Sequence, residues 1–249
     1  MNILMISATF PYPPTLGGTP IRTFNLLKHL SQRHSITLVT QRSAAVTDED
    51  VAALRQWVDH LEVFPRPTEQ DLTPGLRGKV GRFARFLALG RPPSVTYVAL
   101  PAMQDWINRW VAAGKAEALT CEHSVNEVFV QPHHRHRVRK VVVDIHSSFY
   151  GTLLNQLETG TAEKPLRDEL SVPLMRRYER RFARKFTDLV LTTEEDRRFF
   201  EPLRHPAELH VVANGVDLAS FPYRSRDPGG YELVFVGAMD YIANVDTAQ

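Results

Sequence analysis

The run Val141-Val142-Val143-Asp144-Ile145 leads straight into His146, Ser147 and Ser148. An imidazole at the end of a strongly β-forming run can hydrogen-bond a hydroxyl or move a proton near neutral pH. It can equally tie down its own loop. A second stretch with chemical capacity is Leu16-Gly17-Gly18-Thr19, directly ahead of a helical pattern. Main-chain N–H groups at a helix N-terminus favour an anion such as a diphosphate, and glycines let the backbone approach it closely. A flexible turn would read the same way. Three further apolar runs end in polar residues: Glu122-His123, Thr193-Glu194-Glu195 and Asn214-Gly215-Val216-Asp217. The glycine stretch is not GxGxxG, and no acidic residue closes an obvious second strand. A nicotinamide-dependent dehydrogenase is therefore disfavoured.

These residues need a scaffold that brings them to one rim. Short apolar runs predict strands at Ile3–Ile6, Ile36–Thr40, Leu61–Phe64, Ala118–Cys121, Val141–Ile145, Leu189–Thr192 and Leu209–Ala213. Helices are predicted at Pro20–Arg33 with Thr19 as N-cap, through Met103, Trp106, Ile107, Trp110 and Val111 up to Gly114, and at Pro173–Phe186. Strands this apolar on both faces suit a parallel sheet covered by helices on each side, a Rossmann-like α/β fold. Ligands of such sheets bind beyond the carboxyl ends of the strands, where the polar residues above follow. The domain reading is residues 1–217 as one Rossmann-like domain, 218–231 as a Pro/Gly-rich linker, and 232–249 as the start of a second domain, opened by the strand Glu232–Val236 and by Gly237.

Composition narrows the classes. Hydrophobic residues make up 43% and charged residues 23%, with a net charge of +2, so nothing global points to nucleic acid. One cysteine, Cys121, excludes an intrachain disulfide and a multi-cysteine zinc site. The opening MNILMISATF lacks the features of a signal peptide, and no apolar run approaches the ~20 residues that span a bilayer. A cytoplasmic protein is expected. Leu76 to Leu87 alternates apolar residues with Arg77, Lys79, Arg82 and Arg85, a pattern that suits peripheral contact with anionic membrane. The basic clusters at His133–Lys140 and Arg176–Lys185 read as solvated faces, and no carboxylate or cysteine partner marks the histidines as metal ligands.

Five segments together resemble family-4 retaining glycosyltransferases of the two-domain GT-B fold. They are NILMISATFPYPPTLGGTPIRTFNLLKHL, VVVDIHSS with its Asp-x-His ending, RRYERRFARKFTDLVLTTEEDRRFF with its Tyr-Glu helix, VVANGVDLASF, and LVFVGAMDYIANVDT. The matches follow the family's order along almost the whole chain. The resemblance implies hexosyl transfer from a nucleotide-diphosphate sugar to a glycan or lipid-linked acceptor, without a cofactor or bound metal. It implies that Gly17, Gly18 and Thr19 approach the donor diphosphate and that His146 contacts the donor sugar near the reacting carbon. Asn214 and Gly215 would line the hinge side of the cleft, and Gly237 would begin a second phosphate-facing loop. Glu122, His123 and Glu194 are candidates for the acceptor side. Two positions depart from the pattern: Ala243 stands where a subgroup has proline, and Thr192-Thr193 replaces serine. The nucleotide pocket and the paired-glutamate motif of the family belong to the second domain, so residues 1–249 by themselves are expected to transfer sugar poorly. Two other readings stay open: a non-catalytic module that binds an acceptor or a membrane, and another GT-B enzyme such as a sugar-nucleotide epimerase.

Overall fold

The computed structural model describes residues 1–15, 17–67 and 90–216, with scattered positions between 81 and 87 and between 218 and 235. The chain divides into two compact units, Met1–Asn214 and Gly215–Gln249. In the second unit the described residues form neither helix nor strand. Gly237, most of the basic stretch from Leu76 to Leu87 and, apart from Phe235, the expected strand at 232–236 lie outside the described residues.

The first unit is built on one sheet. Strands β1 (Asn2–Ser7), β2 (Ser35–Arg42), β3 (His60–Pro65), β4 (Ala118–Glu122), β5 (Lys140–Ile145), β6 (Asp188–Leu191) and β7 (Glu208–Val211) pair in parallel in the order β3-β2-β1-β4-β5-β6-β7. Alternation along β1 explains why both faces are covered. Leu4 and Ile6 join one apolar cluster with Val39, Leu119, Val141, Val143 and Leu189. Ile3 and Met5 join another with Phe24, Leu27, Ile36, Leu38 and Leu54. Burial on two faces is what a parallel sheet requires and what the unbroken apolar strands encode. The strand order reverses between β1 and β4, which opens a crevice at the carboxyl rim there.

Helices α1 (Gly18–Leu30), α2 (Asp48–Arg55), α3 (Pro93–Val98), α4 (Pro101–Ala112), α5 (Phe149–Glu158), α6 (Pro165–Ala183) and α7 (Glu194–Phe200) connect the strands. Three features differ from the sequence expectation. Gly17, not Thr19, is the N-cap of α1, because the Thr19 hydroxyl is committed elsewhere. The helix expected from Pro173 begins at Pro165 and runs through Pro173. Proline forfeits one main-chain hydrogen bond, but the buried stripe of Asp168, Ser171, Met175, Tyr178, Glu179 and Phe182 continues on both sides of it, and packing outweighs the local break. Finally α5 fills part of the stretch from Ser148 to Ser171, and α2, α3 and α7 likewise form where no helix was expected. Among the described residues no helix is long and apolar enough to cross a membrane.

Candidate functional site

The N-terminus of α1 is open. Gly17 takes φ 126° and ψ 172°, a region that glycine alone enters freely. A β carbon at Gly18 would meet open space, so conformation requires glycine only at 17. No side chain caps the helix, and no acid stands in its first turn. The Ile21 N–H bonds the Gly17 carbonyl at 3.2 Å and Pro20 has no N–H. The N–H groups of Gly18 and Thr19 are left as unfilled donors among the described residues, at the positive end of the helix dipole.

One residue further on, Thr19 joins this turn to His146. Its Oγ1 lies 3.3 Å from Nδ1 of the imidazole. The other ring nitrogen, Nε2, is buried and 3.2 Å from Asp144 Oδ2, within ion-pair distance but without hydrogen-bond alignment. Asp144 in turn takes a two-point contact from Arg22 of α1: Nε to Oδ2 at 2.6 Å and Nη2 to Oδ1 at 2.8 Å. Burial pushes the Asp144 carboxyl up, but Arg22 and His146 more than offset it and hold the group below the ordinary aspartate value. The remaining Arg22 donors reach the end of the sheet, Nη1 to Asn214 Oδ1 at 2.9 Å and Nη2 to the Val212 carbonyl at 3.0 Å. Arg22 thus ties together α1, β5 and the chain leaving β7.

The turn that carries His146 is fixed from three elements. Thr192, following β6, donates its hydroxyl to the His146 carbonyl at 2.9 Å. The Ser148 N–H donates to Asp196 of α7 at 2.8 Å. Ser148 Oγ lies 3.0 Å from both carboxyl oxygens of Glu179 on α6 while it caps α5 by accepting from the Gly151 N–H at 2.9 Å. Glu179 is 1% exposed. Burial pushes its carboxyl up to about 7, against hydrogen bonds from Ser148 and from the main chain of Tyr150 and Phe149. A catalytic or binding side chain held by such a set of neighbours is preorganised.

Beside this turn, at the end of β4, stand Glu122 and His123. Glu122 is the register partner of Asp144, so the two carboxyls share one face of the sheet. Burial and the charge of Asp144 push the Glu122 carboxyl up to about 8. His123 packs edge-on against His146, with ring centroids 4.8 Å apart. Burial, aided by His146 and opposed by Asp144, pushes its imidazole down to about 4.

The structure therefore brings together Gly17, Gly18, Thr19, Glu122, His123, His146 and Asn214 within the first unit. Gly215 belongs to the second unit. Glu194 sits apart from this cluster of contacts, in the first turn of α7, exposed and 3.7 Å from Arg197. Sequence reasoning missed Arg22 as a site residue and did not assign Asp144 a role. The signal was present: a carboxylate inside VVVDI, buried on both sides, demands a cation. Among the His133–Arg137 histidines, His134 is a structural residue, with Nδ1 accepting from Gln131 N–H and Nε2 facing Asn108 Oδ1 at 3.0 Å. The one cluster of metal-ligand type among the described residues, Asp188, Glu208 and His210, lies at the opposite rim, and Asp188 is already paired with Lys140 at 2.9 Å.

A family model for glycosyltransferase family 4 matches residues 16–220, most of the chain and every described helix and strand except β1. The chain belongs to glycosyltransferase family 4. The fold agrees with solved glycosyltransferase structures at low sequence identity. Sucrose-phosphate synthase from Thermosynechococcus elongatus superposes with a TM-score of 0.55 at 13% identity, covering 88% of this chain and 49% of that one. HepE from Anabaena, solved with UDP and glucose, gives 0.46 at 14% identity over 88% of this chain and 46% of that one. The family-4 chain thus spans about half the length of these structures. No curated protein matches it in sequence.

Proposed function

We propose that this family-4 domain is the acceptor-side wall of a retaining glycosyltransferase cleft, where a hexosyl group passes from a nucleotide-diphosphate sugar to a glycan or lipid-linked acceptor. The observation that carries the reading is the direct link between an uncapped helix N-terminus and His146. The free N–H groups of Gly18 and Thr19 suit a diphosphate oxygen. Thr19 Oγ1, 3.3 Å from His146 Nδ1, sets the imidazole beside that anion position, where the sugar next to the phosphate would lie. As the glycosidic bond to the diphosphate breaks, negative charge grows on the leaving oxygen. Preorganised main-chain donors stabilise that charge more than the ground state and so lower the barrier. Asp144 and Arg22 act behind His146 and fix its orientation. HepE, solved with UDP-glucose, provides a reason to try uridine nucleotides first.

The test uses the intact protein with UDP-glucose and GDP-mannose, following release of the nucleoside diphosphate with and without sugar acceptors. His146→Ala should lower turnover by about 100-fold or more, the scale of losing one transition-state hydrogen bond, with its melting temperature nearly kept. Near-normal turnover in the variant removes His146 from the site.

A further inference from the structure

We propose that His123 is a second sugar-contacting residue, whose Nε2–H donates a hydrogen bond to a hexose hydroxyl oxygen in the cleft. The inference rests on the function proposed above and adds a residue that the His146 argument does not use.

Three observations converge on it. The first is backbone strain. His123 has φ 76° and ψ 137°, a region that side-chain-bearing residues rarely enter and that clusters at functional sites. Neighbouring anchors enforce it. Asn126 accepts from the Ala8 N–H at 2.8 Å and donates to the Glu122 carbonyl. Glu127, 1% exposed, pairs with Lys185 and accepts from the Tyr178 hydroxyl at 3.0 Å. The short 3-10 helix after His123, Ser124–Phe129, is thus pinned to the end of β1, to β4 and to α6.

The second observation is the tautomer. The Val125 N–H donates to His123 Nδ1 at 3.2 Å. With Nδ1 accepting, the neutral ring carries its proton on Nε2. Burial keeps the ring neutral down to about pH 4, with His146 adding to the effect and Asp144 opposing it. His123 is therefore a donor at Nε2 throughout the neutral range.

The third is that this donor is unspent. Among the described residues Nε2 has no hydrogen-bond partner, and the residue is only partly buried. His146, 4.8 Å away, has both nitrogens facing protein groups. A histidine kept purely for packing would not need a strained backbone, a fixed tautomer and an idle donor. Its place at the end of β4, next to the reversal of strand order, puts that donor in the crevice where such sheets bind ligands.

The hydroxyl can belong to the donor hexose or to a sugar acceptor, and the experiment separates them. The variant is His123→Asn. Asparagine tolerates positive φ, and its Oδ1 can accept the Val125 N–H, but its side chain is too short to replace Nε2. In the intact protein labelled with 15N, His123 should show the Nε2–H tautomer. Its Nε2 signal should move when UDP-glucose or GDP-mannose is added but not with UDP or GDP, if the donor hexose is the partner. A shift with millimolar free glucose or mannose alone assigns the acceptor sugar instead. His123→Asn should lower kcat/KM for nucleotide-sugar turnover by about tenfold, the worth of one hydrogen bond, with an unchanged melting temperature. No shift with any of these sugars, or wild-type kcat/KM in the variant, overturns the assignment while leaving the family-4 activity standing. If calorimetry finds that wild-type protein binds neither nucleotide sugar, the functional reading falls and the His123 assignment with it.

Discussion

Arg22→Met isolates the ion pair on which the geometry around His146 depends. The Arg22 and Asp144 side chains are 9% and 6% exposed, so the pair is shielded from water. Methionine keeps most of the aliphatic packing and removes four donor contacts. Two of these, to Asn214 Oδ1 and the Val212 carbonyl, lie at exposed positions and water replaces them cheaply. The other two leave Asp144 buried and facing only His146 Nε2 at 3.2 Å. Breaking a buried pair from one side costs about 3–5 kcal/mol. Since Asp144 can also relax by taking up a proton, the low end, about 3 kcal/mol, is expected at pH 7, a large share of the ~5–15 kcal/mol that stabilises a domain. Urea unfolding followed by circular dichroism measures it, with an unchanged m-value showing that the unfolded state is the same. Arg22→Met combined with Asp144→Asn removes both charges and should recover most of the loss. The pH dependence has a definite sign. The Asp144 carboxyl is held below its ordinary value, so the stabilisation from the pair is present above that value, ~3.9, and is lost as pH falls through the folded-state value. The gap between wild type and Arg22→Met should therefore narrow below about pH 4. A gap under about 1 kcal/mol at pH 7, or one that persists unchanged in acid, refutes the claim that this pair organises the site.

Two further outcomes follow from groups around it. Glu122→Gln mimics the neutral acid that burial enforces, with the carboxyl pushed up to about 8. A raised carboxyl stabilises fully below its unfolded value, ~4.3, and loses that contribution as pH rises. The variant should match wild type near pH 4 and exceed it by roughly 2–5 kcal/mol near pH 8, read from thermal melts at both pH values; a pH-independent difference would sink the idea. Gly151→Ala should lower the melting temperature although alanine is the better helix former, because its β carbon would collide with the Phe199 ring; overpacking of this kind costs about 1–3 kcal/mol. A raised melting temperature would show that α5 and α7 yield at that contact.

The contrast between what the residues announced and what they concealed has a physical pattern. The inner strands were legible because each is a short run largely apolar on both faces, as a covered parallel sheet requires, and the edge strands β3 and β7, although they carry Glu62 and Glu208, still showed as short β-forming runs. From those runs the rim that gathers Gly17, His123, His146 and Asn214 follows, since side chains just past parallel strands share an edge. The helices read less well than the strands: α2, α3 and α7 went unassigned, and α5 and α6 read poorly for opposite reasons. α6 carries Pro173 on its exposed side, where the lost hydrogen bond is outweighed by a buried stripe visible only once Asp168 and Ser171 are known to face inward. α5 owes its start to Ser148 and to Glu179, thirty-one residues away in sequence, and no local pattern encodes a cap supplied by another helix. The site divides along the same line. Its glycines and histidines stand out by residue type. Arg22 does not, because an arginine in an amphipathic helix ordinarily faces water, and its assignment depends on Asp144 arriving from a strand 122 residues later. The residues proposed to meet substrate were readable one at a time, whereas those that orient them exist as pairs, and a pair has no signature until the fold closes the distance.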